Sequence, residues 1–306
     1  MYALFDADVL VFRAGFAAER KEWHLGWGPT GVAGWENHKV FEYKREAMDH
    51  LDKVLPGVYS REEGKDYSMW PEVNLEPVSH ALHNVKVSVE RALEACDCTD
   101  FDVKMYLSGK DNFRNDVAVT RPYKGNRDRS HRPTHEKAIR AYIKANWDTT
   151  EAHGEEADDL LGIAQTKYGP EDSIIISIDK DLDQIPGLKY NFMHDVRYNV
   201  DRQKANYNFY MQLLTGDSTD NIPGLPGIGP GKAAKALHGM EASESDMIAE
   251  CCRMYQIHSG MEDWEKYMLE QGRLLWIRRE VGQMWELPII PQEDIWDQMD
   301  LTMEID

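Results

Sequence analysis

Short apolar runs in the first two thirds of the chain predict buried strands. Residues 2–12 (YALFDADVLVF) predict a strand with two aspartates at and beyond its end. Residues 173–178 (SIIISI) predict a strand that is covered on both faces, as in a parallel sheet, and residues 102–107 predict a third strand. Residues 20–80 are irregular apart from a strand-like stretch at 38–43, and we expect them to be a family-specific insertion.

Helical periodicity fills the segments between these strands. In residues 78–95 one apolar stripe is formed by Ala81, Val85, Val89 and Leu93. Residues 134–146 and 153–168 also predict helices, and the second has acids in its first turn, where the helix dipole favours them. Alternating strands and helices predict an α/β fold with a mainly parallel, twisted sheet.

Beyond about residue 205 the strand pattern stops. Helices are predicted at residues 207–214 and 232–237, on either side of a Gly/Pro-rich turn, and further helices follow toward the C-terminus. We therefore predict an α/β domain over residues 1–205 and a helical region over residues 206–306.

Composition restricts the class of protein. A hydrophobic content of 42% with nine tryptophans indicates a folded chain. The sequence contains no run of about eighteen apolar residues and no signal-peptide pattern, so we expect a cytoplasmic protein without a membrane partner. The four cysteines form a C-x-C and an adjacent pair, which are not zinc-site spacings, and we expect free thiols.

The charge of the chain is unevenly distributed. A net charge of −19 is unfavourable for binding nucleic acid, because phosphate contacts need cations. Residues 110–144, however, contain ten Lys and Arg against four acids, a local excess of six positive charges. A basic segment beside acids that are neutralised by metal ions can bind DNA despite the global charge.

Eight acids lie where an α/β fold places ligands, at the ends of strands or the starts of helices. They are Asp6, Glu156, Asp158, Asp159, Asp179, Asp181, Asp217 and Asp220. Taken singly, each is more simply a solvated surface charge. The combination of E-A-D-D on a helix with D-x-D after an apolar strand instead predicts that they converge, which requires cations among them. Oxygen-rich sites suit Mg²⁺ or Mn²⁺, and two such ions roughly 4 Å apart support phosphodiester hydrolysis.

The Gly/Pro-rich turn at residues 215–232 (TGDSTDNIPGLPGIGPGK) predicts a tight hairpin between two helices. Glycines there let backbone amides approach a phosphate, the next helix N-terminus favours an anion, and Lys232 adds a cation. An ordinary helix–helix turn is the simpler alternative for a G-x-G alone. The preceding G-D-S-T-D-N makes the phosphate-binding interpretation more specific.

Taken together, these motifs resemble those of the flap endonuclease / 5′–3′ exonuclease family, especially its phage members. The matching segments occur in the family's order: FDADVLVFRA (5–14), YKGNRD (123–128), EEADDL (155–160), ISIDKDLDQIPG (176–187) and LTGDSTDNIPGLPGIGPGKAAKAL (214–237). The resemblance implies a PIN-like nuclease core, a helical arch at about residues 110–146, and a helix–hairpin–helix that grips duplex DNA.

The resemblance also implies roles for individual residues. One metal ion would be held by Asp6, Glu156 and Asp158, and a second by Asp159, Asp179, Asp181, Asp217 and Asp220, some of them through water. Tyr123 would stack on a substrate base, while Lys124 and Arg114 would contact the scissile phosphate. In the basic stretch, Arg121 and Arg127 are expected to bind DNA. The hairpin residues Gly227, Gly229, Gly231 and Lys232 would hold a duplex phosphate, with a K⁺ ion coordinated by carbonyls.

The chain departs from the family pattern at the end of the third predicted strand. The family has an aspartate there, and the aligned position is Ser108, or Leu107 in the other register. Serine is a weaker, neutral ligand, so the first metal is expected to bind loosely or through water. Asp111 would replace the missing carboxylate only if its loop rearranged, because Mg²⁺ demands strict geometry.

Pattern and resemblance together predict a metal-dependent hydrolase that cuts DNA at 5′ ends, flaps or junctions, in replication or degradation, as a monomer. The balance between exonuclease and flap endonuclease action stays open. Two alternatives also stay open: a catalytically weak DNA-junction-binding protein, which Ser108 suggests, and a PIN-type ribonuclease. The hairpin weighs against the ribonuclease, because cleavage of single-stranded RNA needs no duplex-binding element.

Overall fold

The computed structural model describes residues 1–31, 34–57, 62–98, 101–127 and 132–288. The strands are β1 (Tyr2–Asp6), β2 (Glu19–Gly31), β3 (Gly34–Phe41), β4 (Tyr67–Leu75), β5 (Asp102–Leu107), β6 (Asp148–Glu151), β7 (Ser173–Ile176), β8 (Gly187–Asn191) and β9 (Val196–Val200). The helices are α1 (Ala7–Ala17), α2 (Lys44–Val54), α3 (Val78–Ala95), α4 (Arg114–Val117), α5 (Glu136–Asn146), α6 (Ala157–Tyr168), α7 (Arg202–Thr215), α8 (Pro230–Ala236), α9 (Glu244–His258) and α10 (Trp264–Leu275). A 3₁₀ helix at Lys180–Gln184 follows β7.

The chain divides into two compact units. The first comprises Met1–Leu10, Ser88–His131 and Ile143–Asp306, and the second Val11–Val87 and Arg132–Tyr142, each taken over its described residues. Helices α7 to α10 belong to the same unit as the parallel sheet, so the compact units are not divided at residue 205 as the sequence suggested. A division of function between residues 1–205 and 206–306 stays a prediction, and part of the second range lies outside the described residues.

A six-stranded sheet organises the first unit, in the order β6-β5-β1-β7-β8-β9. All its neighbouring strands run parallel except β8 and β9. The central strand β1 is buried from Ala3 to Asp6, and α6 packs on the sheet through Leu161. The predicted α/β class with a mainly parallel sheet is confirmed.

The first strand is shorter than predicted. β1 ends at Asp6, and the apolar residues that follow begin α1. The Asp6 carboxylate accepts a hydrogen bond from the Val9 N–H over 3.3 Å, which satisfies a donor in the first turn of the helix. The apolar run from Val9 to Phe12 is therefore helical, and Asp8 lies on a helix instead of beyond a strand.

Residues 20–80 are more regular than predicted. They form an antiparallel sheet in the order β3-β2-β4 together with the helix α2. Leu25 of β2 is buried with Ala47 and Leu51 of α2, while Trp23 and Trp27 pack around them. Trp23, Leu25 and Trp27 alternate with polar or small residues at period two, which is the strand signal that the sequence interpretation missed.

The C-terminal half of the first unit has its own helical core. Phe209 and Leu213 of α7, Tyr255 of α9 and Met268 of α10 are buried together. The helices predicted at residues 207–214 and 232–237 correspond to α7 and α8.

The arch region is less helical than the resemblance implied. Residues 110–146 contain the four-residue helix α4, irregular backbone with a turn at residues 123–126, and α5, while residues 128–131 lie outside the described part of the chain. No helix among the described residues is both long and apolar enough to cross a membrane. All four cysteines are free and buried.

Candidate active site

Neighbouring strands bring acidic residues to one edge of the larger sheet. β1 lies between β5 and β7, and all three run parallel, so their carboxyl ends meet. Asp6 ends β1, and Asp179 follows β7. The Ser177 hydroxyl, directly after β7, donates to Asp6 Oδ2 over 2.7 Å. The sheet topology thus brings Asp6 and Asp179 to the same edge.

Asp158, in the first turn of α6, completes this group. Burial raises the pKa of Asp158 well above its usual range, and the carboxylates of Asp6, Asp179 and Glu156 raise it further, while Lys124 opposes them. Over the described residues, no hydrogen bond to the Asp158 carboxylate is found. Burial, followed by the neighbouring Asp8, also raises the pKa of Asp6 to about 7. The nearby charge of Lys124 therefore does not offset the burial and the repulsion that act on Asp158.

A second acidic group adjoins the first through Asp179. Asp179 Oδ1 accepts the Asp181 N–H over 2.9 Å at the start of the 3₁₀ helix. Burial, with Asp179 and Asp217 nearby, raises the pKa of Asp181 to about 7, while a hydrogen bond from Gln212 opposes the shift. Asp217 therefore lies close enough to Asp181 to act on its charge, and its expected role as a metal ligand stays a prediction.

Lys124 and Arg127 partly neutralise the remaining two acids. Lys124 Nζ lies 2.5 Å from Glu156 Oε1 and 3.6 Å from Asp220 Oδ2, and Arg127 forms an ion pair with Asp220. The Tyr123 hydroxyl lies 2.9 Å from Glu156 Oε2 and 2.8 Å from Asp220 Oδ2. A phenol donates only one proton, so the two carboxylates compete for it.

The position of Tyr123 differs from the expected base-stacking role. Its ring is buried in the helical core and only 6% exposed, and its hydroxyl faces the carboxylates. Lys124 adopts a left-handed backbone with a φ of 52°, and its N–H donates to the main-chain oxygen of Asp220 over 2.9 Å. The turn at Tyr123 and Lys124 is thereby attached to the segment that carries Asp220.

Arg114 and Asp159 also differ from expectation, because they form a buried ion pair with each other. The Arg114 guanidinium donates to both Asp159 oxygens, over 2.6 and 2.9 Å, and the Asp159 side chain is fully buried. Asp159 also accepts the N–H groups of Glu156 and Arg278. Burial favours the neutral acid, yet Arg114 holds the pKa of Asp159 below its usual range. These four contacts use the acceptor sites of Asp159, so the expected role of Asp159 as a metal ligand does not fit its position in the structure.

Asp8, which the sequence interpretation did not include among the metal ligands, lies beside Ser108. Asp8 Oδ2 accepts the Ser108 N–H over 2.8 Å, and Ser108 Oγ accepts the Ala157 N–H at the start of α6. Asp111, the acid expected to compensate, is exposed. The D-x-D spacing of Asp6 and Asp8 was a signal for this arrangement, but it was hidden by the prediction of a strand through residue 12.

The donor set fits a hard divalent cation in its chemistry. No three His, Cys, Asp or Glu side chains in the described ranges are arranged to hold a metal ion as they stand. Neighbouring acids help to raise the pKa of Asp6, Asp158 and Asp181. The acids that could contribute to a metal site are all carboxylates, the oxygen donors that such cations prefer. They are Asp6, Asp8, Glu156, Asp158, Asp179, Asp181, Asp217 and Asp220.

The glycine hairpin between α7 and α8 presents an open surface. Arg121 lines a shallow pocket with the hairpin residues, including Gly227 and Gly229. A Cβ added at Gly227, Gly229 or Gly231 would meet no atom within 4 Å, and Gly227 has a φ of 73°. Lys232 Nζ donates to the main-chain oxygen of Gly227 over 3.0 Å. Gly227 and Gly229 thus line the same pocket as Arg121, and Lys232 contacts the hairpin through the main-chain oxygen of Gly227.

Comparison with known proteins identifies relatives of the chain. No family model matches it. It is 34% identical over 125 residues to a DNA polymerase I of Rhizobium leguminosarum, a match that covers 37% of this chain and 12% of the polymerase. It is 26% identical over 170 residues to a 5′-3′ exonuclease of Buchnera aphidicola subsp. Schizaphis graminum, which covers 51% of this chain and 58% of the exonuclease. The chain is homologous to 5′–3′ exonucleases.

This homology confirms the resemblance that the motifs indicated. The matched region spans less than two thirds of the length of either relative. Among solved structures, the T5 D15 protein co-crystallised with metal ions superposes with a TM-score of 0.48 at 17% identity, covering 90% of this chain and 85% of that chain.

Proposed function

We propose that this chain is a divalent-metal-dependent 5′ nuclease that hydrolyses DNA phosphodiesters at 5′ ends or flaps. The observation that carries the proposal is the unpaired Asp158 carboxylate, which lies among Asp6, Asp179 and Glu156 at the meeting point of three parallel strands. Such an arrangement costs stability, and a bound cation offsets this cost. The homology to 5′–3′ exonucleases supports the same reading.

Two groups of carboxylates are proposed to hold two Mg²⁺ or Mn²⁺ ions. Asp6, Glu156 and Asp158 belong to the first group, with Asp8 in place of a carboxylate at Ser108. Asp179, Asp181, Asp217 and Asp220 belong to the second group. Bound divalent ions would activate water and stabilise the leaving oxygen of the phosphodiester.

Lys124 and Arg127 are proposed to exchange partners when substrate binds. In the structure they neutralise Glu156 and Asp220. When metal ions take over those carboxylates, the two cations become available to DNA phosphates. Lys124, which contacts both acids and is less exposed than Arg127, is proposed to offset charge that develops on the scissile phosphate.

The hairpin face with Arg121 is proposed to bind the uncut duplex. Its open glycines let backbone groups approach a phosphate, directly or through a K⁺ ion, and Arg121 and Lys232 add positive charge. The protein is expected to act as a monomer in the cytoplasm, in DNA replication or degradation.

A cleavage assay tests the proposal. End-labelled duplex and 5′-flap DNA, with a matched RNA flap, are incubated across Mg²⁺ and Mn²⁺ concentrations. We expect cleavage near the 5′ end that requires the metal, that Asp179→Asn and Asp181→Asn abolish, and that Asp111→Asn retains. Full activity of both site variants would refute the metal assignment, and preferential cleavage of the RNA flap would favour the ribonuclease.

A catalytically weak junction-binding protein is the second candidate, because Ser108 stands where the family pattern has a carboxylate. It predicts tight binding of flap DNA with little turnover, even in Mn²⁺. The Asp8 carboxylate beside Ser108 favours the active enzyme over this alternative.

A further inference from the structure

Asp181 is joined to the end of α10 by a row of amide side chains. Gln212 Nε2, on α7, donates to Asp181 Oδ1 over 2.5 Å, and Gln212 Oε1 accepts a hydrogen bond from Gln184 Nε2. Gln184 Nε2 also donates to the main-chain oxygen of Leu275 over 3.2 Å. The row therefore runs from Leu275 through the two glutamines to an acid of the candidate metal centre.

The Leu275 carbonyl fixes the direction of the whole row. A carbonyl oxygen only accepts, so Gln184 must turn its nitrogen toward Leu275. The second hydrogen on that nitrogen reaches Gln212 Oε1, and Gln212 must then turn its own nitrogen toward Asp181. Gln184 is 2% exposed, and its Oε1 is left without a partner among the described residues. Flipping that amide would place oxygen against oxygen at both of its contacts.

The end of α10 is itself held in place by the buried ion pair. Arg114 Nε donates to the main-chain oxygen of Leu274 over 2.9 Å, while the same guanidinium binds Asp159 of α6. Arg279 Nη2 donates to the main-chain oxygen of Gln184 over 2.8 Å. The segment around Leu275 therefore contacts both acid-bearing elements, α6 through Arg114 and the 3₁₀ helix through Gln184.

We propose that Gln212 is a positioning residue, which together with Gln184 orients the Asp181 carboxylate for binding a divalent cation. Asp179 and Asp217 repel this carboxylate, and an N–H donor on one of its oxygens keeps it from rotating away. The inference rests on the proposed function and deepens it, because it assigns the orientation of one metal-binding acid to residues outside the acidic set.

Mn²⁺ binding to the full chain tests this inference. Affinity is measured by electron paramagnetic resonance and calorimetry for the unaltered chain, Gln212→Met, Gln184→Met and the double variant. Gln203→Met, at an exposed position on the same helix, is the matched control. We expect Gln212→Met to weaken Mn²⁺ binding about tenfold, as is typical for residues that orient a metal ligand.

The row predicts a specific coupling between the two glutamines. Gln184→Met should also weaken Mn²⁺ binding, although its amide contacts Gln212 and Leu275. The Mn²⁺ affinity of the double variant should equal that of the single variant with the lower affinity, because both changes break the same row. Saturating Mn²⁺ should restore cleavage in every variant, which a general loss of structure would not allow. Additive effects in the double variant would refute the row.

Urea unfolding of each variant shows whether it is folded at the temperature of the binding experiment. Should Gln212→Met fail to fold, Gln212→Glu replaces it, because it keeps the volume and the acceptor for Gln184 but turns an oxygen toward Asp181. It should weaken Mn²⁺ binding as well.

If the unaltered chain binds no Mn²⁺, the proposed function fails and the inference with it. If it binds Mn²⁺ and the Gln212 variant binds equally well, only the inference fails.

Discussion

The Ser108 N–H donates a hydrogen bond to Asp8 Oδ2 over 2.8 Å, although 100 residues separate the two in the chain. Asp8 lies in the first turn of α1, just after β1, and Ser108 directly follows β5. The parallel pairing of β1 with β5 brings them together. Where the family pattern has a carboxylate at the end of this strand, the chain holds Ser108 with the carboxylate of Asp8 beside it.

Asp8 is expected to take the place of the carboxylate that is missing at Ser108. Asp8→Asn should lower Mg²⁺-dependent cleavage by one to two orders of magnitude, roughly the effect of disturbing a metal site. Ser108→Asp should add little to the unaltered chain but should recover activity in the Asp8→Asn background. Asp111→Asn, a change of the same kind at an exposed acid, is the control. Undiminished cleavage by Asp8→Asn would exclude Asp8 from the metal centre.

Asp158→Asn should raise the stability of the protein in EDTA while it removes the cleavage activity. The native Asp158 carboxylate is disfavoured by burial and by the neighbouring acids, so the amide should raise the free energy of unfolding in EDTA. The same change should abolish cleavage. Urea denaturation in EDTA and the flap assay measure the two effects, and a loss of stability in EDTA would contradict the repulsion argument.

Arg114→Met should destabilise the fold by roughly 3 to 5 kcal/mol, because it leaves Asp159 charged and buried without its partner. The double change Arg114→Met with Asp159→Leu should recover much of that loss. Urea unfolding of both variants checks this. If Arg114→Met is as stable as the unaltered chain yet inactive, Arg114 contacts the substrate after all.

Lys189 should make stability depend on pH in the alkaline range. Burial lowers its pKa from 10.5 to about 7 in the folded state. Between these values the unfolded chain binds the proton and the folded chain does not, so the contribution of Lys189 to stability rises with pH and is constant below about 7. Lys189→Met should therefore stabilise the protein at pH 7 by roughly 1 to 5 kcal/mol, with the gain shrinking toward pH 10.5. A gain that is independent of pH would contradict this assignment.

Gly227→Ala should weaken binding of duplex DNA. Gly227 has a φ of 73° and Gly239 a φ of 83°, and both face open space, so alanine should introduce similar backbone strain at each position. Gly239→Ala, which lies after α8, is therefore a matched control. Fluorescence anisotropy should show weaker binding for the Gly227 variant alone. Equal losses would indicate strain, and no loss in either would remove the hairpin from the DNA interface.

The sequence by itself determined the α/β class and the hairpin between two helices near residue 230. It also supplied seven of the eight acids that remain proposed as metal ligands. These features are local: a buried apolar run predicts a strand, proline and glycine end a helix, and closely spaced acids mark a site. Motifs such as EEADDL and ISIDKDLDQIPG likewise indicated the similarity to 5′–3′ exonucleases.

Only the tertiary structure decided which side chain faces which partner. Arg114 and Asp159 match the family motifs, yet burial between α6 and the end of α10 makes them an ion pair, because each charge needs a partner away from water. Asp8 gained its place through the pairing of β1 with β5, and Gln212 through the packing of α7 against the 3₁₀ helix. These contacts join residues that are distant in sequence, so a local pattern such as the D-x-D of Asp6 and Asp8 marks an acid but not the partner that it meets.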